Sequence, residues 1–485
     1  MKVTLGIDLG TSRCKVAFFG LDGKLLEYAF GEYPVYRPSS SYAEQNPEEW
    51  WESLCKSIRE ALQKSNITST EVLAIGITGQ DHGVVCLDDK GNIIRRAIIY
   101  SDRRYQPQIE RLEETLRKPL EAGARRLFGP LLWMRENEPQ TYKTISKVTT
   151  SRGFIGYKLT GKVIFSRRQF DEICDIAKEI NEVYPLPLLG QPYGDFDIAG
   201  YVTGGAAEET GLNAGIPVIM GPWDGMCSIF AAGLLKEGIA VEIAGATDVI
   251  SVSSAKFLPD ITRFQHVIPA IWLTYHSLRV GMIHDWFKEK FGFSGERTTE
   301  LVGPDQYSLL DAEAEEVELG SRGLIFLPKF GLDLQDTISR GVFFGISLNH
   351  DRRHFYRAVL EGIAYRVREY IEELESLGII VREVRICGGG AKSDLWNQIR
   401  ADVTGKPYVK LNTVETGCLG ASICAGIGVK LFNNLKEATE SMVRTSKRFE
   451  PIRQNHEEYN RLYEIYREVD GRLKPVFEKL GKRST

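Results

Sequence analysis

Short apolar runs that end in glycine alternate along this chain with stripes of helical spacing. Val3–Leu9 and Cys14–Phe19 predict two strands joined by a tight turn, and the "LDGK" of Leu21–Lys24 leads into a third. "NPEEWWESLCKSIREALQ" predicts a helix: Asn46 can cap it, Pro47 suits its first position, and Trp50, Leu54, Ile58 and Leu62 share one face. Val72–Thr78 reads as a short buried strand with the loop "GQDHG" at its C-terminal end, where open α/β sheets bind ligands. The pattern recurs at Val218–Asp224, where "VIM" runs into "GPWDG" and then into the Ala/Gly-rich, helix-like "MCSIFAAGLLKEG". Ala240–Val252, "AVEIAGATDVISV", is again strand, glycine turn, strand. A long helical pattern then precedes the strand "VREVRIC" and the segment "GGGAKSDLWNQIRADVTG", in which Ser393 can cap a helix starting near Asp394. From about Asn433 the chain is charged, with Tyr459, Leu462, Tyr463 and Tyr466 at the spacing of an amphipathic helix that packs back on the body.

Gly245, Ala246 and Thr247 repeat the arrangement of Gly10, Thr11 and Ser12, so the chain reads as a diverged duplication. The expected organisation is a first α/β lobe over residues 1–235, a second over 236–432 and a helical segment over 433–485. At 485 residues the chain exceeds what one core supports. A balance of 61 basic against 65 acidic residues, net −4, supplies no global field for nucleic acid or an anionic membrane, so any anion must be bound locally. No apolar run reaches the length of a membrane span and no secretory leader is evident, which leads us to expect a cytoplasmic protein. Eight scattered cysteines without a C-x-x-C pair, and seven dispersed histidines, fit a reducing compartment and no transition-metal site. A hard ion held by carboxylates and phosphates stays open.

Asp8 lies inside an apolar strand and is followed by Gly10, Thr11, Ser12 and Lys15. Backbone N–H groups, hydroxyls and an ammonium can converge on one phosphate, although a decorated hairpin would look the same. Gly388–Gly390 lets a ligand lie against bare backbone at a helix N-terminus, or simply makes a tight strand-to-helix turn. Neither G-x-x-x-x-G-K-[ST] nor G-x-G-x-x-G occurs. The three glycine turns together fit a polyphosphate held by two of them and a base and ribose beside the third. Asp224 could serve only as a helix cap, Asp81 and His82 only as loop residues, and Trp223 and Cys227 only as packing.

"GIDLGTS", "YAEQNPEEWW", "GITGQDHG", "GVFFGISLNHDRRHFYRAVLEGIAY" and "GGGAKSDLWNQIRADVTGKP", in this order over most of the chain, resemble the FGGY carbohydrate kinase family and, within it, the xylulokinases. The resemblance implies an α/β protein of two ribonuclease-H-like lobes in the actin/hexokinase superfold, with ATP, Mg²⁺ and a sugar in the interlobe cleft. Carried over by position, Thr11, Ser12 and Lys15 meet the β- and γ-phosphates, Gly245 and Thr247 meet them from the second lobe, and Gly389, Gly390, Ala391 and Asp394 flank the adenosine. Asp8 and Asp224 are the metal-side acids, Asp224 doubles as the catalytic base, and Gln80, Asp81, His82 and Trp223 face the sugar. D-xylulose is the first expected acceptor, with ribulose, erythritol or another neutral ketose or polyol as alternatives. An actin- or chaperone-type ATPase and a non-catalytic sugar sensor are the rival classes. Partners are restricted to ATP and sugar, with no nucleic acid or membrane, and a homodimer is left open.

Several positions depart from the xylulokinase pattern. Pro130 replaces a usual lysine, Asp81 a usual methionine and Ala246 a usual threonine; Trp223 and Gly225 flank the base; and "PKFGLDLQD" lacks the usual Gly-Glu-Arg. A carboxylate at Asp81 would repel an anionic acceptor such as gluconate and suits one with hydroxyls to donate.

Overall fold

The structure, a computed structural model, describes residues 1–80, 82–183, 188–245, 248–259, 261–278, 281–292, 306–331 and 338–481. It contains two compact units: residues 1–231 with 415–443, and residues 232–414 with 444–485.

In the first unit β1 (Val3–Leu9), β2 (Arg13–Gly20), β3 (Leu25–Glu32), β4 (Val72–Gly79), β5 (Ile198–Tyr201) and β6 (Pro217–Met220) form one sheet in the order β5-β6-β4-β1-β2-β3. β1 pairs antiparallel with β2 and parallel with β4, and β4 pairs parallel with β6. The loops after β1, β4 and β6 therefore leave from one edge of the sheet. The predicted helix spans Pro47–Lys64, with Asn46 accepting a hydrogen bond from the Glu48 N–H and with Trp50, Leu54 and Ile58 fully buried. The helix after "GPWDG" is shorter than its Ala/Gly-rich sequence suggests and ends at Ala231.

The helix Thr416–Gly428 was expected in the second lobe, but it packs in the first unit across β1 and β4. The cause is glycine: a Cβ at Gly6 would stand 1.9 Å from the Cys418 carbonyl oxygen, and one at Gly76 would stand 1.8 Å from that of Ala421. Bare strand backbone lets the helix lie directly on the sheet.

In the second unit β7 (Gly238–Ile243), β8 (Val249–Ser254), β9 (Trp272–Thr274), β10 (Val381–Cys387), β11 (Tyr408–Leu411) and β12 (Thr445–Phe449) are ordered β9-β8-β7-β10-β11-β12, with Thr262–Gln265 beyond β9. β7 is antiparallel to β8 and parallel to β10, which repeats the hairpin-plus-parallel-neighbour scheme of β1, β2 and β4. The duplication read from Gly10 and Gly245 is thus visible in the topology. Arg352–Ser376 is the central helix of this unit. The C-terminal helix, Arg453–Gly481, buries Tyr459, Tyr463 and Tyr466 against it, and the Tyr459 hydroxyl donates to Glu361 at 2.9 Å. The predicted tail is therefore divided, since Leu435–Met442 stays with the first unit. No described helix is long and apolar enough to cross a membrane.

Candidate functional site

In the first unit the hairpin register sets Asp8 opposite Lys15. Lys15 Nζ lies 3.8 Å from Asp8 and 3.2 Å from Glu415, the residue before the Thr416–Gly428 helix. Burial raises the Asp8 pKa, Lys15 pulls it down and Glu415 pushes it up, with a net rise. For Lys15, burial opposes the ammonium, but Asp8 and Glu415 hold its proton and the net shift is upward. Asp8 Oδ1 is buried without a hydrogen-bond partner. A Cβ at Gly417 would come within 2.6 Å of Asp8 Oδ2, so glycine there leaves the carboxylate its room. Glu415 and Gly417 escaped the sequence reading. The signal available for them was the small-residue run that follows Glu415.

The turn between β1 and β2 is held from behind. Gly10 N–H donates to the Arg13 carbonyl at 3.0 Å, the Tyr33 hydroxyl to the Gly10 carbonyl at 2.6 Å, and the Gln45 amide to the Thr11 carbonyl at 2.7 Å. Gln80 is buried, and its amide donates to Gln45 at 2.8 Å while its own N–H donates to Leu9 at 2.7 Å. The structure thus places Gln80 in support of the turn. Thr11 and Ser12 remain at the surface of that turn, with the Thr11 hydroxyl 3.1 Å from the Tyr100 hydroxyl.

Register brings the acceptor-side loops to the same edge. Asp8 pairs with Thr78, Ile77 pairs with Met220, and the Thr78 hydroxyl donates to the Pro222 carbonyl at 2.6 Å. Asp224 opens the helix Asp224–Ala231, half-buried, and accepts the Gly225 N–H at 2.8 Å. The Trp223 ring folds over Gly225, where a Cβ would meet it at 1.9 Å. His82 adopts a left-handed backbone, φ 61°, and its Nδ1 lies 3.5 Å from the Gln169 amide nitrogen. Arg152, fully buried, donates to the Gly221 carbonyl and lies 3.4 Å from the Gln169 side-chain oxygen, so one guanidinium braces both the His82 and the Asp224 loops. Arg152 and Gln169 were also missed by the sequence reading. Asp81 lies outside the described residues.

In the second unit parallel pairing of Ile243 with Cys387 carries the Gly245 turn and the Gly388–Gly390 turn out of one sheet edge. The Gly390 N–H donates to the Ala244 carbonyl at 2.9 Å, and Gly388 has φ 86°. The glycines continue into a 3₁₀ turn over Gly389–Lys392 that includes Ala391, and Ser393 then caps Asp394–Thr404 by accepting the Trp396 N–H. Beside Gly389 and Gly245 no heavy atom of the described residues would lie within 4 Å of an added Cβ, so both present open backbone. Asp394 is exposed and paired with Lys410 at 3.1 Å and Lys447 at 2.8 Å. Partial burial works against its charge, but the two lysines prevail and lower its pKa. Ala246 and Thr247 lie outside the described residues, as do residues 332–336 of the "PKFGLDLQD" segment.

Among the described residues no group of three or more His, Cys, Asp or Glu could hold a metal by itself. The orphaned oxygen of Asp8 suits an ion that takes most of its ligands from phosphate and water, as Mg²⁺ does.

The comparisons with known proteins give the family. Residues 3–231 match the model of the N-terminal domain of the FGGY family of carbohydrate kinases, and residues 244–429 match that of the C-terminal domain. The chain is 28% identical over 500 residues to a protein named xylulose kinase from Bacillus subtilis, covering 97% of each chain. It is 27% identical over 454 residues to a probable L-xylulose kinase from Haemophilus influenzae, covering 88% of this chain and 90% of the relative. The crystal structure of a xylulose kinase from Rhodospirillum rubrum superposes with a TM-score of 0.79 at 27% identity, over 98% of this chain and 100% of that one. Both halves being matched, the chain belongs to the FGGY family of carbohydrate kinases and is a sugar kinase.

Proposed function

We propose that this kinase transfers the γ-phosphoryl group of ATP to a hydroxyl of a neutral ketose, with D-xylulose the first candidate, and that Asp224 is the general base. The observation that carries the reading is the common sheet edge in the first unit, where register sets the loops of Asp8, His82 and Asp224 side by side. A sugar hydroxyl is a weak nucleophile, and a positioned carboxylate that takes its proton during attack accelerates transfer. Asp224 Oδ1 accepts the Gly225 N–H, which fixes the carboxylate at the start of its helix. His82 and Asp81 orient the sugar, and Asp81 selects acceptors that have hydroxyls to donate.

Thr11, Ser12 and Lys15 bind the donor phosphates, Gly245 and Thr247 supply further phosphate contacts, and Gly389–Ala391 give the nucleoside a bare backbone wall. Mg²⁺, held on the Asp8 side with Asp224 as the second acid, would neutralise phosphate charge. Lys15, kept protonated between Asp8 and Glu415, contributes fixed positive charge at the same place.

The test is ADP release measured with a panel of D- and L-xylulose, ribulose, hexuloses, polyols and gluconate. Turnover with a neutral ketose and none with gluconate is expected. Sugar-independent ATPase activity, or a preference for the sugar acid, would overturn the reading. The L-sugar belongs in the panel because one relative carries it in its name.

A further inference from the structure

The Gly245 turn re-enters its sheet through Asp248, and this residue is unfavourable on two counts. Its backbone is left-handed, φ 45°, a conformation that L side chains rarely adopt. Its carboxyl is 1% exposed, and neither oxygen has a hydrogen-bond partner among the described residues. The nearest opposite charge is Arg400 Nη2 at 3.9 Å. Arg400 is already neutralised, because its Nε lies 2.8 Å from Glu242, whose other oxygen accepts the Tyr408 hydroxyl at 3.1 Å. All three charged groups are buried. Burial first and Glu242 second raise the Asp248 pKa well above the carboxylate range, and Arg400 opposes them.

Charge balance does not call for Asp248, since without it Arg400 and Glu242 remain a neutral pair. A small residue would also remove the orphaned oxygens, which demand an explanation in any native structure. The location supplies one. The Asp248 N–H donates to the Gly245 carbonyl at 3.2 Å, and its carbonyl accepts the Leu278 N–H at 2.9 Å, so Asp248 closes the turn. Arg400 stands on the Asp394–Thr404 helix, behind the Gly389–Lys392 turn. Its guanidinium lies 3.6 Å from the Trp396 ring centre and 3.4 Å from the Asn397 side-chain oxygen, and the same Trp396 backs Gly390.

We propose that Asp248 is a positioning residue for the phosphoryl donor: buried 3.9 Å from Arg400 and filling the space between the exit of the Gly245 turn and the helix behind Gly389–Ala391, it holds these two apart so that phosphate-facing and nucleoside-facing backbone keep one spacing. The inference rests on the ATP reading above. Asp248 does not touch the donor and acts through the turn it closes. A ligand spanning both turns senses their spacing, while adenosine, which meets only one, does not.

The experiment measures KM for ATP, KM for the sugar and competitive inhibition by adenosine in wild type, Asp248→Ala and Asp248→Asn, well below each unfolding temperature. Asp248→Ala is expected to raise the ATP KM about tenfold, as misplacement of a binding element does, with sugar KM and adenosine inhibition within about twofold. Asp248→Asn keeps the shape and recovers most of the loss. Should Asp248→Ala not accumulate as folded protein, Asp248→Ser is read in the same way. An unchanged ATP KM, or ATP, sugar and adenosine constants that move together, overturns the inference alone. A wild type that releases no ADP from ATP with any sugar overturns the donor reading and this inference with it.

Discussion

Trp223 and Gly225 flank the proposed base, and the structure makes them a matched pair. A Cβ on residue 225 would sit 1.9 Å from Trp223 Cζ3 and 2.7 Å from both Cε3 and Cη2. Carbon atoms approach to about 3.5 Å, so in Gly225→Ala the ring must retreat by roughly 1.5 Å or more. Overpacking of this kind costs about 1–3 kcal/mol. Against it stands the helix preference for alanine over glycine, about 1 kcal/mol, which applies because residue 225 lies in the Asp224–Ala231 helix. The net expectation for Gly225→Ala is a loss of about 0–2 kcal/mol. Trp223→Ala alone should cost a similar amount, since the ring is only half-buried. In the Trp223→Ala background the obstruction is gone, so Gly225→Ala becomes neutral or stabilising by up to about 1 kcal/mol. The coupling is then roughly 1–3 kcal/mol, outside the ~0.5 kcal/mol within which independent sites add. Urea unfolding of the four proteins measures it, and kcat/KM for the sugar shows whether the displaced ring disturbs Asp224, with the ATP KM as the internal control. Additive free energies would refute the packing argument. A Gly225→Ala protein more stable than wild type would show that the ring yields freely.

Asp224→Asn should keep the wild-type unfolding temperature and ATP affinity while sugar phosphorylation falls about 10²–10⁴-fold, the usual loss for a general base; turnover within a few-fold of wild type removes Asp224 from the chemistry. Lys15→Ala should raise the ATP KM and leave the sugar KM nearly intact; steady-state titration of each substrate decides this, and the opposite split would move Lys15 to the acceptor side. Stability should also depend on pH through His284, which burial first and Arg400 second hold down at a pKa of about 4 against an ordinary 6.5. Above pH 6.5 both the folded and unfolded forms of this histidine are neutral, and below it the unfolded chain takes up the proton first. Folded stability therefore falls as pH drops from 6.5 toward 4, by on the order of 2–3 kcal/mol. Denaturant unfolding across that range, repeated with His284→Gln, should show a flatter curve for the variant; parallel curves would remove His284 as the cause.

What the sequence made legible was local. Asn46 and Ser393 are caps because side-chain oxygens meet backbone N–H groups two or three residues on, an interaction that needs no tertiary context. The strand ends of Leu9, Gly79 and Met220 could be read for the same reason, and their convergence followed once parallel pairing was assumed. What stayed hidden depends on partners far along the chain. Glu415 went unread because nothing near it in sequence shows that the helix it precedes crosses β1 and β4. Yet a clue was present: Gly6 and Gly76 sit inside strands, where glycine weakens a sheet unless another backbone must come close. Read that way, "GIDLG" and "AIGIT" call for a helix of small residues, and "TGCLGASICAGIG" is one. Glu242 was hidden differently. In "AVEIAGATDVISV" an acid between apolar neighbours fits a strand with one wet face, whereas here both faces are covered and Arg400, far along the chain, supplies the counter-charge. Buried charge is therefore the feature that alternation cannot reveal. In this kinase it stands behind the Gly245 turn, which we propose to face the phosphoryl donor.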